Sequence, residues 1–237
     1  MQSMKAIVLA GGLGTRLRER LPDLPKPMAP VAGRPFLEYV LDLLVAGGIR
    51  EIILSVGYRA DNIMAHFGEH YRSAVLRYSI ESEPLGTGGA VANALKAEGD
   101  DSVLVLNGDT FLNIDYAAFL RWYQQDPTQL AMVLRAVPDV SRYGSVLVTN
   151  GRVTNLGEKG RVGPGLINAG VYVVQHGIFE KFGFSGKFSL EADFFQQYLK
   201  VFTARAFMTD AYFIDIGIPV DFDRAQHEFP LLMQEEK

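Results

Sequence analysis

Lys5-Ala6-Ile7-Val8-Leu9-Ala10-Gly11-Gly12-Leu13-Gly14-Thr15-Arg16-Leu17 begins as an unbroken apolar run and then meets three glycines. A strand that is apolar at every position, with no polar alternation, is buried on both faces, as strands of helix-covered parallel sheets are. Working outward, the pattern repeats. Residues 36–46 read as a helix ended by Gly47-Gly48, 51–56 as a second strand and 60–67 as a short helix. A third strand is expected at 75–80, a helix at 88–97, a fourth strand at 102–107 stopped by Gly108, and a helix at 116–125. This alternation builds βαβ units, so the fold class is α/β, with a mixed, mainly parallel sheet covered on both faces.

After Leu130 the rhythm changes. Short strands are expected at 131–136, 145–149, 153–156 and 167–174, separated by Gly, Pro and Asn. A loop or helix end follows at 180–186 and a helix at 190–199. Strands return at 204–209 and 212–215, and a helix at 219–228 closes the chain before a frayed tail from Pro230. Phe179, Phe182, Phe184, Phe188, Phe194 and Phe195 suit a satellite apolar cluster, or else a homodimer contact. No linker or internal repeat divides the 237 residues, which read as a single domain.

Composition sets limits on function. The net charge of −4 gives no general attraction to nucleic acid or to an anionic membrane. With no cysteine there is no disulfide, thiolate metal site or cysteine nucleophile. No apolar run approaches the ~20 residues that span a bilayer, and the N-terminus leads straight into a strand, so the expectation is a soluble, cytoplasmic protein.

Chemistry enters with the glycines. Directly after a first strand, Gly11, Gly12 and Gly14 allow close approach of a ligand and offer N–H groups to phosphate, and Arg16 adds a planar cationic fork. A Walker loop would need Gly-Lys-Ser/Thr, and a dinucleotide fingerprint a third glycine where Leu17 stands; neither is present. Lys26, between Pro25 and Pro27, is expected in a stiff extended segment that presents its ammonium at low entropic cost. Asp109, after an apolar strand and Gly108, fits a ligand for a hard cation at a strand's carboxyl end, where a turn-capping role is the alternative. His66 and His70 are four apart, but Gly68 between them favours an ordinary surface helix over a zinc site.

Gly-Gly-x-Gly-Thr-Arg-Leu at 11–17 and Pro-Lys-Pro-Met at 25–28 resemble the N-terminal signature of the sugar-phosphate nucleotidyltransferases. The resemblance continues through Glu81 to Ala90, Asn107-Gly108-Asp109-Thr110, Glu158-Lys159, Asn168-Ala169-Gly170 and Phe213 to Gly217. It implies a Rossmann-like three-layer sandwich in which 1–130 mainly binds nucleotide and 131–237, richer in β-structure, mainly binds sugar phosphate. It implies nucleotide contacts from Leu9, Ala10, Gly11, Gly12, Gly14, Thr15, Arg16, Lys26, Glu81, Pro84, Gly86, Thr87, Gly88 and Asp109. Arg16, Lys26 and Asp109 would be catalytic, and Asp109 with Asp215 would hold Mg²⁺. Gly144, Glu158, Lys159, Asn168 and Gly170 match the sugar-1-phosphate pocket.

At the position of Glu81, relatives that use uridine or thymidine triphosphates often carry Gln. A carboxylate only accepts hydrogen bonds, and guanine presents two adjacent donors, so Glu81 points to GTP; Glu83, two residues on, is the other candidate reader. The short chain, the 81–90 string and the missing β-helix most resemble the D-glycero-α-D-manno-heptose 1-phosphate guanylyltransferases, which implies GDP-heptose for capsule or surface polysaccharide. Mannose 1-phosphate guanylyltransferases come next, and uridylyl or thymidylyl transfer third. Two rival classes are a regulatory, non-catalytic domain of this type and an enzyme of the same fold with a different acceptor, such as a polyol-phosphate cytidylyltransferase or a molybdopterin guanylyltransferase. The intact Arg16, Lys26, Asp109 and Asp215 speak against the first, and Glu158-Lys159 with Asn168-Ala169-Gly170 against the second.

Overall fold

The computed structural model describes residues 4–12, 24–96, 101–157 and 159–235. The strands are β1 (Ala6–Leu9), β2 (Pro30–Val31), β3 (Arg34–Pro35), β4 (Glu51–Val56), β5 (His70–Tyr71), β6 (Ala74–Ile80), β7 (Ser102–Asn107), β8 (Thr110–Leu112), β9 (Leu130–Val137), β10 (Val146–Thr149), β11 (Arg152–Leu156), β12 (Gly165–Gln175), β13 (Ala204–Thr209) and β14 (Phe213–Asp215). The helices are α1 (Phe36–Ala46), α2 (Ala60–Phe67), α3 (Gly86–Leu95), α4 (Tyr116–Gln125), α5 (Ile178–Lys181), α6 (Gln196–Tyr198, preceded by a π-type turn at Leu190–Phe195) and α7 (Pro219–Glu235).

Among the described residues one sheet runs in the order β10-β11-β13-β9-β12-β7-β1-β4-β6-β5. In the half built from the first strands of the chain, β7, β1, β4 and β6 are parallel neighbours, in register from Ala6↔Leu104 and Ala6↔Ile52, and only the two-residue β5 runs antiparallel, to β6. The expectation of a mainly parallel sheet holds for that half. In the second half only β9 and β13 are parallel, and β12 runs antiparallel to both β7 and β9. One further pair, Val146↔Leu166, joins β10 back to β12, so this end of the sheet curls round and nearly closes on itself. β12 carries a bulge between Asn168 and Tyr172, with Gly170 at φ +71°. A bulge kinks a strand and re-aims its side chains.

Side chains alternate across this sheet into two apolar layers. Val8, Leu104, Leu106 and Val173 face α1, α4 and α7, together with Phe36, Phe119 and Phe229. Ile7, Val103, Val105 and Tyr172 face α3 and α5, together with Phe179, Phe188, Phe194 and Phe195. The aromatic group expected as a satellite is therefore the core of one whole face. Helix–sheet–helix layering follows directly from buried strands that are apolar on both sides.

The short edge strand β5, β8 and the β2–β3 hairpin lie where no periodic pattern marks the sequence. His66 and His70 do not share a helix face: Gly68, at φ +58°, ends α2, His70 begins β5, and His66 Nε2 hydrogen-bonds Glu38 Oε1 at 2.8 Å. Lys26 is not extended; it opens a single 3₁₀ turn, with Ala29 N–H bonding the Lys26 carbonyl at 3.0 Å. Proline's fixed φ suits the first positions of a helical turn, and burial of Pro27 and Met28 holds this one in place. Among the described residues the tail expected to fray from Pro230 is helical instead, since α7 runs through Pro230 to Glu235. Pro230 forfeits one helical hydrogen bond, but Phe229 before it is fully buried among Phe36, Tyr39 and Phe111, and Leu232 after it packs on the same core.

Candidate active site

In the order β6-β4-β1-β7, the chain leaves β1 for one side and returns on the other. The carboxyl ends of β1 and β7 flank this switch, where open α/β sheets form a ligand crevice. Gly108 N–H donates to the Leu9 carbonyl at 2.9 Å and Ala10 N–H to the Ser55 carbonyl at 2.7 Å. A Cβ on Gly108 would lie 2.7 Å from the Leu9 oxygen, so only glycine lets the loop after β7 come this close. Leu9 is thereby held against the loop that carries Asp109, while Gly11 faces Gly57 and Glu81. Gly14, Thr15, Arg16 and Glu158, all expected in the site, lie outside the described residues.

At one end of the crevice, a cavity of about 250 Å³ is lined by Gly11, Gly57, Tyr58, Glu81, Ser82, Glu83 and Pro84. Glu81 follows β6 and is fixed on three sides. Its N–H donates to the Val56 carbonyl at 2.8 Å, Ser55 Oγ donates to Oε1 at 3.2 Å, and Leu85 N–H donates to Oε2 at 3.0 Å. A Cβ on Gly11 would stand 2.8 Å from Oε1, so the glycine loop and the carboxylate require each other. Glu83 is exposed at the same cavity. Ser55, fully buried, belongs to no motif; a hydroxyl inside the apolar run 52–56 is its only signal in the sequence.

Gly86, Thr87 and Gly88, expected against the base, also pack on residues 188–190. The Phe188 carbonyl accepts from Gly88 N–H at 3.0 Å and Gly89 N–H at 3.2 Å, and Thr87 Oγ1 accepts from Leu190 N–H at 2.9 Å. Gly88 lies under the Phe188 ring, with no room for a Cβ, and Gly86 abuts the Phe188 carbonyl. The first turn of α3 is thus built to pack on the segment before the π-type turn.

At the centre, the antiparallel pairing of β8 with β14 sets Asp215 opposite Thr110, and Ile216 N–H donates to the Asp109 carbonyl at 3.0 Å. Residues 106 positions apart in sequence therefore present carboxylates to the same point. Lys26 Nζ pairs closely with Asp109 Oδ2 and stands 3.7 Å from Asp215 Oδ1. Gly217 N–H holds Asp215 Oδ1 at 2.7 Å, and a Cβ on Gly217 would collide with the Lys26 ammonium. Burial, and then the Asp109 charge, push the Asp215 carboxyl above its usual range, against the pull of Lys26. Two converging carboxylates that repel one another suit a hard divalent cation whose remaining ligands are water and substrate phosphate. Among the described residues no third His, Cys, Asp or Glu joins them.

At the other end, a cavity of about 90 Å³ opens where β10, β11 and β12 close on each other. Tyr143, Gly144, Lys159, Asn168, Glu191 and Gln196 are among its walls. The bulge in β12 places Asn168, whose Oδ1 accepts from Gly170 N–H at 3.0 Å and whose Nδ2 donates to Tyr172 Oη at 2.6 Å and Glu191 Oε1 at 2.5 Å. Gly170 itself faces Asn107, at the end of β7; a Cβ there would lie 2.5 Å from Asn107 Nδ2. That contact joins this cavity to the loop carrying Asp109. Glu191 is not among the expected residues, because the acids Glu191 and Asp193 inside the Phe-rich stretch have no motif around them.

The family model for nucleotidyl transferases matches residues 5–229. The chain belongs to the nucleotidyl transferase family. This nucleotidyl transferase is 42% identical, over 95% of its length and 98% of theirs, to the D-glycero-α-D-manno-heptose 1-phosphate guanylyltransferase of Aneurinibacillus thermoaerophilus. The protein of the same name from Campylobacter jejuni is also 42% identical, over 92% of this chain and 97% of its own. Among solved structures, HddC from Yersinia pseudotuberculosis complexed with GMP-PN superposes with a TM-score of 0.85 at 40% identity, covering 95% of this chain and 99% of that one. Among the described residues, no helix of the nucleotidyl transferase is long and apolar enough to cross a membrane.

Proposed function

We propose that this nucleotidyl transferase moves GMP from GTP onto a sugar 1-phosphate, D-glycero-α-D-manno-heptose 1-phosphate, giving GDP-heptose and pyrophosphate. The observation that carries the reading is the order of the crevice: an acceptor-only carboxylate at one end, a lysine-bridged carboxylate pair in the middle and a polar cavity at the other. The near full-length relatives named as heptose 1-phosphate guanylyltransferases support the choice of base and sugar. A phosphate oxygen of the sugar 1-phosphate attacks the α-phosphorus of GTP in line. The bond from that phosphorus to the α–β bridging oxygen breaks, and pyrophosphate leaves with the electron pair. The nucleophile is already an anion, so positioning and charge neutralisation do the work. Lys26 and Arg16 neutralise the triphosphate. Asp109 and Asp215 would hold Mg²⁺, which, when bound, supplies Lewis-acid charge neutralisation at the phosphates. Lys159, Glu158 and Asn168 hold the sugar phosphate, and Gly144 and Gly170 shape its pocket. We place the enzyme in the cytoplasm, among soluble nucleotide and sugar phosphates.

Glu81 selects the base. Each carboxylate oxygen already accepts one internal bond and keeps a second lone pair, enough for guanine N1–H and N2–H₂. The test is pyrophosphate release across four nucleoside triphosphates and several sugar 1-phosphates. GTP should exceed the others in kcat/KM by roughly 100-fold, since a mismatched base sets its own acceptor against the carboxylate's free lone pairs. Inosine triphosphate, lacking the 2-amino group, should fall between GTP and ATP. Glu81→Gln should erode the preference. UTP or dTTP as best substrate would overturn the guanylyl reading, and a shift produced by Glu83→Gln alone would move the reader to Glu83. Mannose 1-phosphate is the second sugar to try, because a mannose-1-phosphate guanylyltransferase of Mycobacterium tuberculosis is 34% identical over 92% of this chain.

A further inference from the structure

Asp221 is the charged side chain most fully removed from solvent among the described residues, at 1% exposure. It stands in the first turn of α7, six residues after Asp215. Its Oδ2 accepts from Arg142 Nη2, and its Oδ1 lies 3.1 Å from Arg224 Nη1 as an ion pair without an aligned hydrogen bond. A buried ion pair contributes little net stability, because desolvation offsets the attraction, so its value lies in what it holds in place. Here it holds two pieces of the crevice. Arg142 directly precedes Tyr143 and Gly144 of the outer cavity, and its guanidinium lies 5.0 Å over the Tyr143 ring. Tyr143 in turn packs edge-on against Phe213, with centroids 5.6 Å apart, two residues before Asp215 on β14. Arg224 returns to the same strand through the Phe213 carbonyl at 3.4 Å. The loop bearing Tyr143 and the strand bearing Asp215 are thus clasped to one buried carboxylate.

We propose that Asp221 is a positioning residue that fixes the outer cavity against the Asp109–Asp215 pair and so sets how the sugar 1-phosphate is presented to the α-phosphorus. This inference rests on the transfer reading above. The base cavity at Gly11 and Glu81 is built from other elements and lies outside the clasp. Loosening the clasp therefore moves one substrate and not the other, and displacements of about 1 Å can cost up to ~100-fold in rate.

The test is steady-state pyrophosphate release by the full chain, with each substrate varied in turn. Asp221→Asn and Arg142→Gln should each raise KM for the sugar 1-phosphate about tenfold or more and leave KM for GTP within about twofold. Arg142→Lys, which keeps the charge but not the fork, should recover part of the loss. The double variant should be no worse than Asp221→Asn alone, because both remove the same contact. Arg142 is partly exposed, so Arg142→Gln keeps the test open if Asp221→Asn fails to fold. If both KM values rise together, or neither moves in a folded variant, the positioning role is wrong and the transfer reading stands. If the wild-type chain releases no pyrophosphate from GTP with any sugar 1-phosphate, the transfer reading falls and takes this inference with it.

Discussion

Lys26 stands between two carboxylates that would otherwise face each other unscreened. Its ammonium has two consequences. In the resting protein it offsets the repulsion within the pair; in the transfer proposed above it would meet the charge that develops at the phosphates. Lys26→Ala should therefore lower kcat by ~100- to 1000-fold while KM for GTP changes little. A variant within about threefold of wild type would remove Lys26 from the catalytic set. Asp215 is held in an unfavourable charged state by burial and by Asp109. Such strained groups trade stability for activity. Asp215→Asn should abolish turnover yet raise Tm at neutral pH without added divalent cation; an unchanged or lower Tm would contradict the like-charge account. Lys26, Asp109 and Asp215 are all legible in sequence through their motifs. Asp221 and Ser55 are not, because a lone acid or hydroxyl shows its value only once its partners are in place.

Among elements, the legible ones are long and periodic. α1, α2, β4, β7, α4 and β13 span the residues expected of them, since eleven residues of helix or six of buried strand carry enough pattern to decide. β5, β8 and the β2–β3 hairpin are two or three residues long and exist through tertiary pairing alone. The glycines of 86–89 read in sequence as a close approach to the base; their packing on Phe188, 100 residues beyond Gly88, is announced by no local pattern. The edge at β5 carries a titratable prediction. Tyr71 Oη donates to Asp42 Oδ1 at 2.7 Å, and burial, reinforced by that bond, pushes its phenol up to about 12 from its usual value near 10. A phenol with a raised folded-state pKa contributes stability that is complete below about pH 10 and is lost as pH climbs through 12. The stability gap between wild type and Tyr71→Phe, measured by urea unfolding, should be constant up to about pH 10 and shrink above it. A gap that stays constant to about pH 12 would contradict the shift.

At the scale of the molecule, one sheet serves both halves, and each apolar layer spans strands from both. β1, β7 and β12 give alternate side chains to the two layers, so loss of either layer exposes the same strands. Phe194→Ala and Phe229→Ala, on opposite faces, should each cost about 3–5 kcal/mol and each give a single unfolding transition. Two resolved transitions would mean that 1–130 and 131–237 fold as separable units. The fold class is legible because buried parallel strands announce themselves; the curl joining β10 to β12 is not, because it rests on one pair of residues. That curl bears on how the protein behaves in a crowded solution. An open sheet has two rims of unsatisfied backbone amides, each a template for intermolecular stacking. Here one rim is capped at a single point, where Val146 of β10 meets Leu166 of β12. The other ends on β5, two residues long, which covers only the start of β6. Part of each rim is therefore already capped within the chain, which shortens the ladder that a sibling chain could extend.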